Sequence, residues 1–226
     1  MNHNADFSRR AAEHGASMPW VASPMPGVDR QMLDRVGGEV ARATSIVRYA
    51  PGSAFSAHSH SGGEEFLVLD GVFQDEHDDY PAGTYVRNPP GTRHTPAAAQ
   101  GCTILVKLWQ FDRADRTQIA VDTAALEMAQ PAGRPGVRLG ALFHDAHEDV
   151  RIERWDANAA LALDLPRGGE FFVIEGGFSE AGEAFGPRSW LRLPPGARFE
   201  GLAGPDGARL WVKTGHLAEP RFAPAP

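Results

Sequence analysis

The sequence predicts an all-β chain made of two tandem copies of one β-barrel, and three observations predict it. The first is self-similarity. EFLVLDGVF (65–73) lies over EFFVIEGGF (170–178), and YVRNPPGTRH (85–94) lies over WLRLPPGARF (190–199), both at an offset of 105 residues; GCTILVK (101–107) lies over GARLWVK (207–213) after a one-residue slip. A fixed internal period of this kind marks duplicated units. The second is local composition, since the apolar segments are rich in β-branched and aromatic residues and lie between Gly/Pro turns. The third is the total of 25 Gly and 18 Pro, which suits many short strands joined by turns.

Taken in order, ATSIVRYA (43–50), EFLVLDGVF (65–73), TYVRN (84–88) and TILVKLWQF (103–111) read as strands of the first copy. Within 64–69, Glu64, Phe66 and Val68 share one face and Glu65, Leu67 and Leu69 the other. Apolar groups on both faces require packing on both sides, as in a sandwich or barrel. Helical signals are confined to TAALEMA (123–129) and SRRAAEHG (8–15). QPAGRPG (130–136) reads as the end of a linker. The expected organisation is a first domain over 1–120, a linker over 121–136 and a second domain over 137–226.

Bulk properties exclude several classes of function. A net charge of −7 with pI near 5.7 argues against nucleic acid and against an anionic membrane surface. No apolar run approaches the roughly 20 residues of a membrane span, and the N-terminal stretch has no apolar signal core. With Cys102 as its single cysteine the chain forms no internal disulfide, and a cytoplasmic location is expected.

The candidate chemistry lies in the first copy. His58 and His60 are one residue apart, so a strand points both imidazoles to one face; Glu64 lies a further even step on, and His94 follows after a hairpin. Three imidazoles and a carboxylate facing one interior would suit Mn, Fe, Ni, Co or Zn. The second copy acts as a control. Phe73, Arg87, Pro89, Pro90, Gly91 and Lys107 recur as Phe178, Arg192, Pro194, Pro195, Gly196 and Lys213, which points to roles in the fold. The four candidates do not recur. Glu64 becomes Gly169, His94 becomes Phe199, and His58 and His60 fall on Leu163 and Leu165 or one residue later. The second domain is therefore expected to be a degenerate, metal-free copy with an apolar filling.

Gly52, His58, His60, Glu64 and Gly71 fit the pattern G-x5-H-x-H-x3/4-E-x6-G, and Gly83, Pro89, Gly91 and His94 fit G-x5-P-x-G-x2-H-x3-N, with Ala98 at the final Asn. In these motifs the chain resembles the cupin superfamily. More narrowly, HSHSGGEEFLVLDGVFQDEHDDYPAGTYVRNPPGTRH resembles the cupin domain of ChrR-type anti-sigma factors. The resemblance implies two jelly-roll (double-stranded β-helix) barrels, a bicupin, with one divalent transition metal (Fe, Mn, Zn or Ni) on His58, His60, Glu64 and His94. It implies a sensing or regulatory module, a homodimer and, in the full family architecture, a sigma-factor partner. The helical, zinc-binding sigma-gripping domain of that family has no counterpart in the sequence, which lacks a CxxC. Related members are iron-dependent dioxygenases of diketones and hydroxy-ketones, which gives a second functional expectation, an Fe(II) dioxygenase. A third is a ligand-binding barrel in which the metal is incidental.

Other residues invite two readings each. Glu65 is a rival metal ligand, but its counterpart Glu170 survives in the metal-less copy, so a structural role is expected. Arg87 and Lys107 could meet an anionic substrate or serve the fold, and their recurrence favours the fold. Tyr85, Phe66, Val68 and Trp109 are candidates for pocket lining or for core. Cys102 reads as a small buried residue, and His144 and His147 as a solvated loop. His77 and the acidic run 75–79 read as an exposed hairpin tip.

Overall fold

The computed structural model describes residues 2–38 and 40–221. Among these residues the regular elements are all strands, and no helix is long and apolar enough to cross a membrane. The two segments with helical signals are not helical. Ala11–His14 is a strand and 123–129 is a turn followed by extended chain. Both stretches are short, and an isolated helix of that length is marginal, so edge pairing and turn formation prevail.

The chain folds into two compact units. One comprises Met1–Ala5, Pro19–Ala124 and Arg221–Pro226; the other comprises Asp6–Met18 and Ala125–Pro220. These bounds differ from the expected 1–120 and 137–226, because the segment Asp6–Met18 belongs to the second unit. The physical reason is an edge. In the second unit the strand Ala11–His14 pairs antiparallel with Ser189–Leu193. In the first unit the equivalent edge strand, Thr84–Asn88, pairs with Ile119–Asp122. Each barrel thus covers an otherwise open edge, but with a segment from a different place in the sequence. A buried arginine beneath each edge repeats the arrangement. Arg87 lies 4.1 Å from the centre of the Phe111 ring, and Arg192 lies 4.1 Å from that of Phe7.

In the first unit the main sheet runs, in spatial order, Ile119–Asp122, Thr84–Asn88, Glu64–Gln74, Cys102–Leu108, Ala41–Tyr49, Val28–Gly37 and Val21–Ala22. A short pair, His58–Ser59 with Arg93–His94, lies apart from it. Phe66, Val68, Phe73, Tyr80, Val86, Ile104 and Val106 form the core. Phe66 and Val68 are therefore core rather than pocket lining. So is Tyr85, 1% exposed, whose hydroxyl donates to Glu65 Oε2 at 2.6 Å. Cys102 is buried, and burial pushes its thiol up to about 12. Ala98, at the final Asn of the second motif, is fully buried in this core, so the position packs rather than caps.

In the second unit the order is Ala11–His14, Ser189–Leu193, Gly169–Glu180, Ala197–Thr214, Asp149–Trp155 and Val137–His144, with Ala160–Leu165 pairing the far part of Ala197–Thr214. Gly71 and Gly176 are equivalent and both have positive φ; a Cβ on either would come within 2.2 Å of a carbonyl oxygen, of Gly101 and of Gly207 respectively. That explains their recurrence on packing grounds alone.

The registers settle the comparison of the copies. His58 is opposite His94 in the first unit, and Leu163 is opposite Phe199 in the second, so the offset stays at 105 through the candidate site. Leu165 and Phe199 are 2% and 1% exposed. Phe199 stacks on Phe171 at 4.7 Å and meets Trp155 at 5.5 Å and Phe178 at 5.6 Å. The polar cluster of one barrel is an aromatic core in the other. Phe199→Ala should therefore destabilise the second unit by about 3–5 kcal/mol, read as an earlier unfolding transition in denaturant; an unchanged midpoint would show that the ring carries no packing.

Above Leu163 and Leu165 the second unit keeps a cleft of about 400 Å³, whose arginines are engaged. Arg134 clasps Glu153 with two hydrogen bonds of 2.8 and 2.7 Å, and Arg151 Nε adds a third at 2.7 Å. Burial alone would raise the Glu153 carboxyl, but the hydrogen bonds and charges of the two arginines, with Trp155 Nε1, hold it at about 2. A carboxylate lowered from 4.5 contributes stability above that value and loses it as pH falls towards 2. Glu153→Gln should flatten the pH dependence of unfolding in that window, and an unaltered acid limb in denaturation curves would refute the assignment.

Candidate metal centre

Three segments of the first unit bring the donors together. His58 stands opposite His94, and the ladder continues through the backbone bonds His60 N–H to Thr92 O and Gly91 N–H to His60 O, both 3.0 Å. The chain then turns through Gly62 and Gly63 and enters the strand Glu64–Gln74. Gly63 has φ +75°, and a Cβ there would fall 2.4 Å from the Phe111 ring. A glycine is required for the turn that returns Glu64 to the histidine face.

The potential ligand nitrogens of His58, His60 and His94 all lie within 4.8 Å of one another, and among the described residues this is the one group of three His, Cys, Asp or Glu so placed. Glu64 Oε2 lies 3.5 Å from His60 Nε2 and 3.7 Å from His94 Nε2. These three atoms are buried and have no hydrogen-bond partner. Buried polar atoms are normally paired, because leaving one unmet costs about 1–3 kcal/mol. Three unmet lone pairs aimed at one another fit a cation between them. His58 is more exposed and completes the group from the solvent side.

The outer partners fix which nitrogen faces inward. His58 Nδ1 lies 3.2 Å from the Ser56 carbonyl, which can only accept, so the proton belongs on Nδ1. His94 Nδ1 lies 3.1 Å from Asp75 Oδ2. In both rings Nε2 is left with its lone pair, as a metal requires. Burial first, then the charge of His58, lowers His60 to about 4. Burial also lowers His94, against the raising effects of Glu64 and Asp75. Burial raises Glu64, against the lowering effects of His94, His58 and an Asn88 hydrogen bond. The site disfavours protons on His60 and His94 and keeps these two imidazoles as neutral donors.

Asp75 is the site residue that sequence reasoning missed. The acidic run 75–79 reads as a solvated tip, and Glu76, His77, Asp78 and Asp79 are indeed exposed. The Asp75 side chain is 3% exposed. Its Oδ1 accepts the backbone N–H groups of His77 at 2.9 Å and Asp78 at 3.2 Å, which leaves Oδ2 for His94. A turn acceptor at the start of an acidic hairpin is the only signal the sequence offered. Glu65, by contrast, is held by Tyr85, just as Trp190 Nε1 donates to Glu170 Oε2 at 3.1 Å. Arg87 pairs with Asp115, Lys107 donates to Thr44 Oγ1 at 2.8 Å, and Lys213 pairs with Glu148 at 2.9 Å. None of Glu65, Arg87 or Lys107 lines the cavity beside the histidines, which measures about 430 Å³; Trp109 does.

Residues 8–112 match the model of the ChrR cupin-like domain family. No curated protein sequence matches the chain. Among solved structures, a proposed dioxygenase from Nostoc punctiforme aligns with TM-score 0.76 at 15% identity, covering 97% of this chain and 88% of the other. The bacterial pirin YhhW from Escherichia coli, in complex with nickel(II), aligns with TM-score 0.62 at 15% identity over 92% and 99%. A variant of oxalate decarboxylase from Bacillus subtilis aligns with TM-score 0.64 at 11% identity over 94% and 78%. At such identities these likenesses speak to the fold.

Metal titration separates the roles at this centre. His94→Ala should lose tight binding of a divalent transition metal, and Asp75→Ala should weaken it by about 10–100-fold. Full occupancy in the His94 variant would remove His94 from the ligand set.

Proposed function

We propose, from the match of residues 8–112 to the ChrR cupin-like domain family and from the cupin-type fold, that the first barrel of this chain is a metal-dependent site for a small organic molecule. One divalent transition metal would be held by His58, His60, His94 and Glu64. The observation that carries this reading is the convergence of three buried, unpartnered atoms, His60 Nε2, Glu64 Oε2 and His94 Nε2. The cavity of about 430 Å³ beside them supports the small-molecule part, since it lies in the size range of ligand pockets. The second barrel supplies a folded neighbour domain and no metal.

Four protein donors leave different sites for different metals. Zinc prefers four ligands and would be closed, whereas iron or manganese prefers about six and would keep two positions open. Iron bound there would supply Lewis acidity and access to oxygen chemistry. The protein would orient the organic molecule against Trp109, Phe55 and Leu108, which line the cavity and exclude water. An Fe(II) dioxygenase acting on a small diketone or hydroxy-ketone is the enzymatic form of this proposal, supported by the access of the cavity to the histidines. A sensing module of the ChrR type is the regulatory form, supported by the family match; a sigma-factor partner and a homodimer belong to it.

Elemental analysis of untagged protein purified without chelator should find about one transition metal per chain. Iron or manganese, followed by oxygen uptake with a diketone, would bear out the enzymatic form; zinc with a co-purifying regulator would bear out the other. No metal, or two per chain, would overturn the reading of the two barrels.

A further inference from the structure

The cavity above the histidines has a charged wall that a metal does not account for. Arg30 and Arg35, both on the strand Val28–Gly37, line it. Five residues apart on a regular strand, they would face opposite sides. The register shifts between Met32 and Asp34, so that Arg30 lies opposite Val47 and Arg35 opposite Ala43. Those partner positions are an even number of residues apart, so the bulge returns both guanidinium groups to one face. Burial, and then the charge of Arg30, lowers the Arg35 pKa, and Arg35 Nη2 donates to the Gly38 carbonyl.

Among the described residues lining this cavity, Glu64 is the only carboxylate, and it is committed to the histidines. Arg30 Nη2 donates to Ser23 Oγ at 2.9 Å, a neutral acceptor that leaves its charge uncompensated. The chain as a whole carries −7, so the guanidinium of Arg30 in a half-enclosed cavity runs against the bulk field and would select anions. The cavity's exposed lining includes the apolar Met25 and Val40, 46% and 53% exposed, beside His58, Ser59 and Ser61.

We propose that the cavity takes a small organic acid, whose carboxylate pairs with the guanidinium of Arg30 while a second oxygen faces the histidine cluster. A carboxylate matches the planar fork of one arginine in a bidentate pair. The second contact rests on the metal reading above; the Arg30 contact does not.

The test is calorimetric titration of malonate, malonamide and inorganic phosphate into metal-loaded and chelator-treated full-length protein, for wild type, Arg30→Met and Arg30→Lys. Malonate should bind wild type, and Arg30→Met should weaken it by about ten-fold or more. Arg30→Lys, which keeps the charge without the fork, should fall between. Malonamide, the uncharged isostere, should bind weakly to all three. Metal content and thermal unfolding should be the same in the variants as in wild type, which separates lost contact from lost fold. Absence of malonate binding to wild type, equal malonate affinity in Arg30→Met, equal affinity for malonamide, or preference for phosphate would each overturn the proposal. The metal reading fails separately. Arg30-dependent malonate binding in a protein that takes up no metal would sustain the anion site and remove the metal, whereas metal binding with no effect of Arg30 would do the reverse.

Discussion

Burying polar atoms without hydrogen-bond partners is the constraint around which the first barrel is organised. His60 Nε2, Glu64 Oε2 and His94 Nε2 are enclosed together with no partner, and burial works against charge on each of these groups. In an isolated barrel such a cluster is a net cost, because the desolvation of the donors is not returned by hydrogen bonds. A divalent cation would return it, drawing on neutral imidazoles and a carboxylate that the surrounding structure already orients. The Gly63 turn, the pairing of His58 with His94 and the Asp75 contact to His94 all serve that one point.

The second barrel shows how the same framework removes the cost. At the equivalent positions it has Leu163, Leu165, Gly169 and Phe199, and the aromatic ring of Phe199 occupies the interior with Phe171, Trp155 and Phe178. Phe73 meets His94 at 5.8 Å where its counterpart Phe178 meets Phe199 at 5.6 Å, so the surrounding packing is common to both. What changes is whether the centre is polar or apolar. Buried polar groups that do recur, Glu65 with Tyr85 and Glu170 with Trp190, are satisfied within the fold. This separates the buried polar groups that the fold itself satisfies from those left unmet in the first barrel.

Legibility in the sequence followed the range of the interactions. The strands, the duplication and the histidine face depend on alternation and spacing over a few residues, and these were readable directly. The placement of Ala11–His14 was not, because its partner Ser189–Leu193 lies far along the chain and edge pairing leaves little mark on a short polar segment. Asp75 escaped notice for a related reason. Its neighbours 76–79 are exposed, and only the turn that ties its Oδ1 to two backbone amides directs Oδ2 inward. The common face of Arg30 and Arg35 depends on a register shift, a feature that an alternating pattern hides.

That shift also bears on how the two halves of the cavity act together. The imidazoles of His58 and His60, Glu64, Arg30 and Arg35 line this cavity together with apolar side chains such as Phe55 and Trp109. A cation at the histidines and the guanidinium of Arg30 in the same cavity would both attract an anionic ligand, and the apolar lining would strengthen each attraction by excluding water. A monodentate anion could satisfy only one of the two. A ligand with two oxygen groups separated by a short carbon chain could satisfy both, and its orientation would then be set from its two ends. A metal at the histidines and Arg30 together would discriminate by length as well as by charge, which neither could do alone.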